Sequence, residues 1–339
     1  MRKGGNIMYI SELVNKYGRM YSPYLDELIN HLPITQVALF KLYEDLEKVR
    51  DFTKEVIAKI ELKPRKEELP SINSLDDALG KPELYDSCVE FIKREIDEKG
   101  IDKVIRNILN TYALGISSEL FHPIIRVACA VEGYKMDKGL EEEVARALAY
   151  YVTAYREGKV FRRRIEGKRI FEEMENLISE PYINMIRSSN TSTDYKFNAI
   201  LSEDGFENKG FIIDGLEENK IRLLIDLILP AFINSNDSII LHCICGLQSV
   251  ITLKDYFDDF NKILDYVTSF IITYLLAVDK LDFRKDNKTI LDFSWPYIIC
   301  LSKDTTDIHT INLIYSCSEL SKVYDTVWLK KAVKKRLFE

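Results

Sequence analysis

The stretch Thr35–Ile60, "TQVALFKLYEDLEKVRDFTKEVIAKI", places apolar side chains every three to four residues and contains neither glycine nor proline. A segment with that period carries one apolar stripe and has to bury it against other helices. Pro33, just upstream, suits a first helical turn, where its missing N–H has no partner to lose. The spacing therefore predicts one long amphipathic helix over Thr35–Ile60. The same pattern returns in "ELYDSCVEFIKREIDEKG" and "IDKVIRNILNTYALG", each closed by Gly, and in "HPIIRVACAVEGY" and "LEEEVARALAYYVTAYREG". It resumes in "EENKIRLLIDLILPAFI", "NSNDSIILHCICGLQSVITLKDYF", "NKILDYVTSFIITYLLAVDKL" and "TILDFSWPYIICLSK". The last stretch, "TTDIHTINLIYSCSELSKVYDTVWLKKAVKKRL", reads as two helices. Only 14 Gly and 9 Pro in 339 residues leave little room for a turn-rich β fold.

The fold class is thus all-α: a large, bundle-like domain spanning 1–339, readable as two helical lobes with the site between them. The N-terminal lobe covers about 1–187 and the C-terminal lobe about 217–339. The polar stretch "SSNTSTDYKFNAILSEDGFENKG" lies in a long connection over about 188–216. The net charge of −7 argues against a nucleic-acid partner. The one basic cluster, "RRRIEGKR" (Arg162–Arg169), is interrupted by Glu166 and reads as a solvated helix face or loop. "VTSFIITYLLAV" is too short to span a bilayer, and "MRKGGNIMYISELV" lacks the apolar run of a secretory leader, so no membrane association is expected. Six cysteines scattered in apolar surroundings suit buried thiols in a reducing, cytoplasmic setting. Cys243 and Cys245 do not share the face of His242, which favours packing over metal binding.

The chain has four histidines, His31, His122, His242 and His309, separated by 91, 120 and 67 residues. No local ligand motif arises from such spacing. Their settings say more. In "INHLP", either Asn30 or His31 caps the helix that Pro33 starts, or the imidazole points at something. His122 repeats the arrangement before Pro123. At a helix head the dipole disfavours imidazolium, and the neutral ring is the form that binds metals. His242 lies inside a helix with Gly246 on the same face, where a close approach by backbone, cofactor or substrate would explain the glycine. His309 opens its own helix. Helical bundles build metal sites from single residues on separate helices, so the alternatives are four unrelated buried or capping histidines or one shared centre. Tyr150, Tyr151 and Tyr155 line either an aromatic pocket or the core.

As a set, "YSPYLDELINHLPITQVAL", "FHPIIRVACAVE", "IILHCICGLQSVITL" and "SWPYIICLSKDTTDIHTINLIYS" resemble the four signature stretches of the questin oxidase-like family, in the same order. The resemblance extends over most of the chain, roughly Tyr21–Leu337. It implies an oxidoreductase of secondary metabolism that uses molecular oxygen on an aromatic or quinone-like small molecule, with a Baeyer–Villiger-like or ring-cleaving outcome. It also implies a mononuclear non-haem iron held by several histidines and a modified lysine. By motif, His31, His122, His242 and His309 are the implied ligands. Gln248 stands where the third motif carries a second histidine, and Asn312 where the fourth carries lysine. Asn cannot be carboxylated, but its amide oxygen can orient a water at the metal.

Among neighbouring residues, Asp307 and Glu132 either complete a His-plus-carboxylate set or orient an imidazole, and Asp307 is otherwise a helix-head carboxylate. Arg126 either holds a phenolate or carboxylate or forms an ordinary ion pair. Imidazoles suit Fe(II) and also Zn. No Gly-rich dinucleotide fingerprint is present, so NADPH enters only as an external donor, beside a partner reductase or a reducing substrate. The rival readings are a helical small-molecule-binding protein with an eroded metal site and a Zn-dependent hydrolase or isomerase at the same histidines. The oligomeric state is left open.

Overall fold

The computed structural model of the chain describes residues 9–25, 29–66, 69–285 and 293–338, and among them the amphipathic stretches become seventeen α-helices. The N-terminal part holds α1 (Ile10–Met20), α2 (Leu32–Tyr43), α3 (Leu46–Lys59), α4 (Tyr85–Lys99), α5 (Ile101–Thr111), α6 (His122–Met136) and α7 (Glu141–Thr153). Then come α8 (Ile170–Ile178), α9 (Pro181–Ser188), α10 (Thr193–Ser202) and α11 (Phe206–Lys209). The chain closes with α12 (Glu217–Ser235), α13 (Ser238–Thr252), α14 (Phe260–Ala277), α15 (Trp295–Leu301), α16 (Ile308–Leu320) and α17 (Val327–Phe338). The only regular sheet among the described residues is a parallel pair, β1 (Arg164–Ile165) with β2 (Ile212–Ile213). The fold is all-α.

Four helices form a closed ring: α2 packs on α6, α6 on α13, α13 on α16, and α16 back on α2. All four run the same way. His31 and His122 meet at the heads of α2 and α6, while Lys41 and Glu132, each ten residues further along, pair near the tails. Lys41 also lies 4.0 Å from Glu319 of α16, whose His309 meets His31 at the other end. Ser316 of α16 donates to Gln248 of α13 at 3.4 Å, one step below the His242–His309 contact. Ten residues of helix rise about 15 Å, so the ring is a barrel of parallel helices with imidazoles at one mouth and a Lys–Glu cluster at the other. Parallel neighbours cannot be joined by a tight turn. The intervening helices make the returns, which is why the four histidines lie so far apart in sequence.

Three sequence expectations change. The long helix over Thr35–Ile60 is two helices: Glu44 is left-handed at φ 50°, and Asp45 caps α3 by accepting from the Lys48 N–H. The polar connection carries α10, α11 and β2. Ser192 caps α10, and Phe197 stacks on Tyr274 of α14 at 4.3 Å, so a sparse apolar stripe suffices to hold this helix. The basic cluster holds β1, with Arg163 and Arg169 on Glu173 and Arg164 on Asp265. The first residues of the "TILDFSWPYIICLSK" stretch and the start of "MRKGGNIMYISELV" lie outside the described residues. Among the described residues no helix is long and apolar enough to cross a membrane.

Behind the ring, α7 packs on α6 and α4. A fully buried ion group closes the seam: Arg126 donates to one Glu143 oxygen at 2.8 Å and Arg146 to the other at 2.7 Å. Arg146 also donates to Asn15 of α1 at 2.5 Å. Burial alone would raise the Glu143 carboxyl, but the two guanidiniums outweigh it and hold the group below its ordinary value of 4.5. A carboxyl lowered on folding stabilises the fold above its unfolded value, and that contribution disappears as pH falls through the folded value. Glu143→Gln is therefore expected to destabilise the protein at neutral pH by on the order of 3–5 kcal/mol, since it leaves the buried Arg126 without its carboxylate, while Arg146 keeps Glu142 at 2.7 Å. In thermal melts the gap between wild type and variant should stay constant down to about pH 4.5 and close below it. A gap independent of pH into the acid range would contradict this account.

Candidate metal centre

Each helix of the ring delivers one imidazole to the common mouth. At α2, Asn30 accepts from the Leu32 N–H at 3.0 Å, which leaves the His31 ring free to point into the mouth. His122 is the first residue of α6 and His309 the second of α16, while His242 lies one turn into α13. The ring centroids of His122 lie 4.7 Å from His31 and 4.4 Å from His242, and His309 lies 5.2 Å from both His31 and His242. Ligand atoms of His31, His122 and His242 fall within 4.8 Å of one another. His122 and His242 are buried; His31 and His309 are partly exposed and mark the open side.

The tautomers follow from the hydrogen bonds. His31 donates its Nδ1–H to the Ile29 carbonyl at 2.8 Å, His242 to the Ser238 carbonyl at 2.6 Å, and His122 to the Glu119 carbonyl. Burial, reinforced by the neighbouring imidazoles, lowers His31 to about 4 and His242 to about 3, and holds His122 well below its ordinary value. Burial lowers His309 as well. The rings are therefore neutral near pH 7, and in His31, His122 and His242 the proton is on Nδ1 and a lone pair on Nε2. The Nε2 atoms of His31 and His122 stand 2.8 Å apart. Two lone pairs facing each other at that distance repel, and neither ring has a second proton to place between them.

A divalent first-row ion held by these residues would resolve the conflict. Bound about 2.1 Å from each nitrogen, it accepts separations up to about 4.2 Å, which the His31–His122 pair meets and the whole set approaches. Donation of the far ring N–H to a carbonyl is the usual support of a metal-bound imidazole. The donor set, three neutral nitrogens with no carboxylate, fits Fe(II) or Zn.

The acceptor for His122 comes from an unusual turn. Glu119, Leu120 and Phe121 are left-handed in succession, at φ 46°, 56° and 67°. Each such conformation costs an L-residue about 1–2 kcal/mol, and strain of this kind clusters at functional sites. The Phe121 ring fills the space above Gly246, where an added Cβ would meet Phe121 Cγ at 2.5 Å. The glycine expected to admit a backbone, cofactor or substrate thus admits a protein side chain that seats the turn.

Other expected site residues lie elsewhere. Asp307 lies near enough to His309 for the two to act on each other electrostatically, but its hydrogen bonds go elsewhere. It caps α16 by accepting from the Thr310 N–H at 2.8 Å, and Arg336 lies 3.4 Å away. Arg126, one turn beyond His122, is turned toward α7 and paired with Glu143. Glu132 is at the tail of α6, paired with Lys41. Gln248 donates to Thr252 at 2.7 Å and, with Glu132 and Glu319, lines a cavity of about 420 Å³ at the far mouth. Asn312 is buried one turn below His309, and its Oδ1 has no hydrogen-bond partner. Cys243 and Cys245 are buried free thiols, and burial raises both. Sequence reasoning missed Glu119, Phe121 and the carbonyls of Ile29 and Ser238. Only Ser238 left a signal, four residues before His242.

A family model described as Questin oxidase-like matches residues 28–209, just over half of the chain. His31 and His122 lie inside the match and His242 and His309 beyond it. No curated protein matches.

Gly246→Ala gives a sharp test of the seating. Alanine favours helix over glycine by about 1 kcal/mol, yet overpacking against Phe121 costs about 1–3 kcal/mol, so the variant should melt lower and lose bound metal together. A G246A protein with unchanged melting and unchanged metal content would contradict the assignment.

Proposed function

The chain belongs to the questin oxidase-like family, and from that premise we propose that it is an iron-dependent oxidoreductase using O₂ on an aromatic or quinone-like small molecule. A Baeyer–Villiger-like or ring-cleaving outcome follows from the same family resemblance. The carrying observation is the convergence of three neutral Nε2 lone pairs, with His122 and His242 buried and His31 at the open side, each ring braced by a main-chain carbonyl. Iron bound there would supply redox exchange with O₂.

The rest falls to the chain. His31, His122 and His242 would hold the ion and His309 would flank the open side. Deep packing of α6 and α13 keeps water from the inner face of the cluster. Four helix heads turn their positive ends toward the mouth, a field that favours a phenolate or enolate oxygen of the substrate. The orphaned Asn312 Oδ1 is an acceptor within the same barrel for a hydroxyl that enters it. Three imidazoles without a carboxylate equally suit zinc, which is what keeps a hydrolase or isomerase as the second reading.

Metal analysis of protein purified without a polyhistidine tag, followed by oxygen-electrode assays with hydroxylated quinones and quinols, separates these. The expected result is about one iron per chain and substrate-dependent O₂ uptake. His122→Ala and His242→Ala should lose both. Stoichiometric zinc with no O₂ uptake would overturn the oxidase in favour of a hydrolase or isomerase, and absence of any metal would leave a binding protein.

A further inference from the structure

The left-handed turn before His122 is held from outside the imidazole cluster. Tyr274 of α14 reaches it with one hydroxyl that bonds on two sides: the Leu120 N–H donates to Tyr274 Oη at 3.1 Å, and the Tyr274 O–H donates to the Ser117 carbonyl at 2.7 Å. The tyrosine is 2 % exposed, and its ring lies against Phe121 at 5.5 Å and is stacked on Phe197 at 4.3 Å. Arg156 Nη2 stands 3.4 Å from the same oxygen and fixes it from the third side. The hydroxyl thus ties the middle of the strained stretch, Leu120, to Ser117 just ahead of it, and the first carbonyl of that stretch, that of Glu119, receives the His122 Nδ1–H.

We propose that Tyr274 is a positioning residue for the metal centre: its hydroxyl clamps the left-handed Glu119–Phe121 turn and thereby sets the His122 tautomer that leaves Nε2 free to bind. This rests on the metal reading of the cluster. Without the hydroxyl, the part-buried Leu120 N–H loses its acceptor and the Ser117 carbonyl keeps only the longer bond from the Phe121 N–H at 3.4 Å, and three residues held in a costly conformation are free to relax toward right-handed geometry. The Glu119 carbonyl then leaves His122, whose proton can move to Nε2 and remove that nitrogen from the donor set. Tyr274 touches no ligand atom, so it acts only through the turn.

Cobalt(II) titrated into the metal-free full-length chain, followed by its visible absorption, tests this without any turnover. Wild type should take up one equivalent. Tyr274→Phe keeps the ring and its stacking, and should bind cobalt about 10–100-fold more weakly, the usual loss when support of a metal-bound imidazole is removed. Adding Leu120→Gly to Y274F should recover most of that affinity, because glycine adopts positive φ without penalty. Tyr151→Phe is the control: it removes a buried hydroxyl that donates to the Tyr112 carbonyl at 2.9 Å, away from the turn, and should leave affinity unchanged. Undiminished affinity in Y274F, an equal loss in Y151F, or no recovery in the double variant overturns the proposal. A wild-type chain that binds no cobalt overturns the metal reading and this proposal with it, a result distinct from failure of Tyr274 alone.

Discussion

Imidazole lone pairs that cannot escape one another are the constraint around which this molecule is built. Each Nδ1–H of the inner three rings is committed to a main-chain carbonyl, so each turns a bare nitrogen to the same space. Water cannot screen them well, and burial prevents any from gaining a proton near neutrality. A protein that only needed to fill this mouth would do better with leucine or phenylalanine, as buried polar groups without partners cost about 1–3 kcal/mol each. Frustration of this kind, three neutral imidazoles facing one another, fits a place that could hold a metal ion.

The parallel ring turns that constraint into topology. Four neighbouring helices that all begin at one mouth require long returns, and the remaining helices supply them. The arrangement aligns four dipoles whose positive ends meet at the cluster. Those ends oppose protonation of the rings and would oppose a cation held there as well, so a metal at this mouth would gain from any anionic oxygen that joined it. At the other mouth the negative ends meet Lys41, held between Glu132 and Glu319. The Arg126–Glu143–Arg146 group then braces α6 from behind, so that the helix carrying His122 is fixed at its head by the left-handed turn and along its flank by the ion group.

Much of the fold was legible because apolar periodicity survives in every ring helix, and His31 and His122 announced themselves by the prolines that follow them. What periodicity could not show was interruption by one residue: Glu44 breaks a helix through a positive φ, although nothing in "LYEDLEK" departs from the pattern. Nor could it show α10, where Phe197 and Ile200 among polar neighbours are enough once α14 is present to receive them. At the site, side-chain identity revealed the four imidazoles, and the family resemblance grouped them. Their supports are main-chain carbonyls, which any residue provides, so apart from the i−4 spacing of Ser238 to His242 they leave no trace in sequence. Gly246 was read as admitting a backbone, cofactor or substrate, whereas what comes close is the ring of Phe121, more than a hundred residues away in sequence. Asp307 drew attention by its nearness to His309 along the chain, whereas its position at the helix head makes capping the stronger use of its carboxylate.

The most direct test of the shared centre is anomalous diffraction from crystals of the protein loaded with iron or zinc and recorded at the metal edge. The account predicts one strong peak about 2.0–2.3 Å from the Nε2 atoms of His31, His122 and His242. A peak confined to surface carboxylates, with the three rings turned apart toward separate local partners, would contradict it.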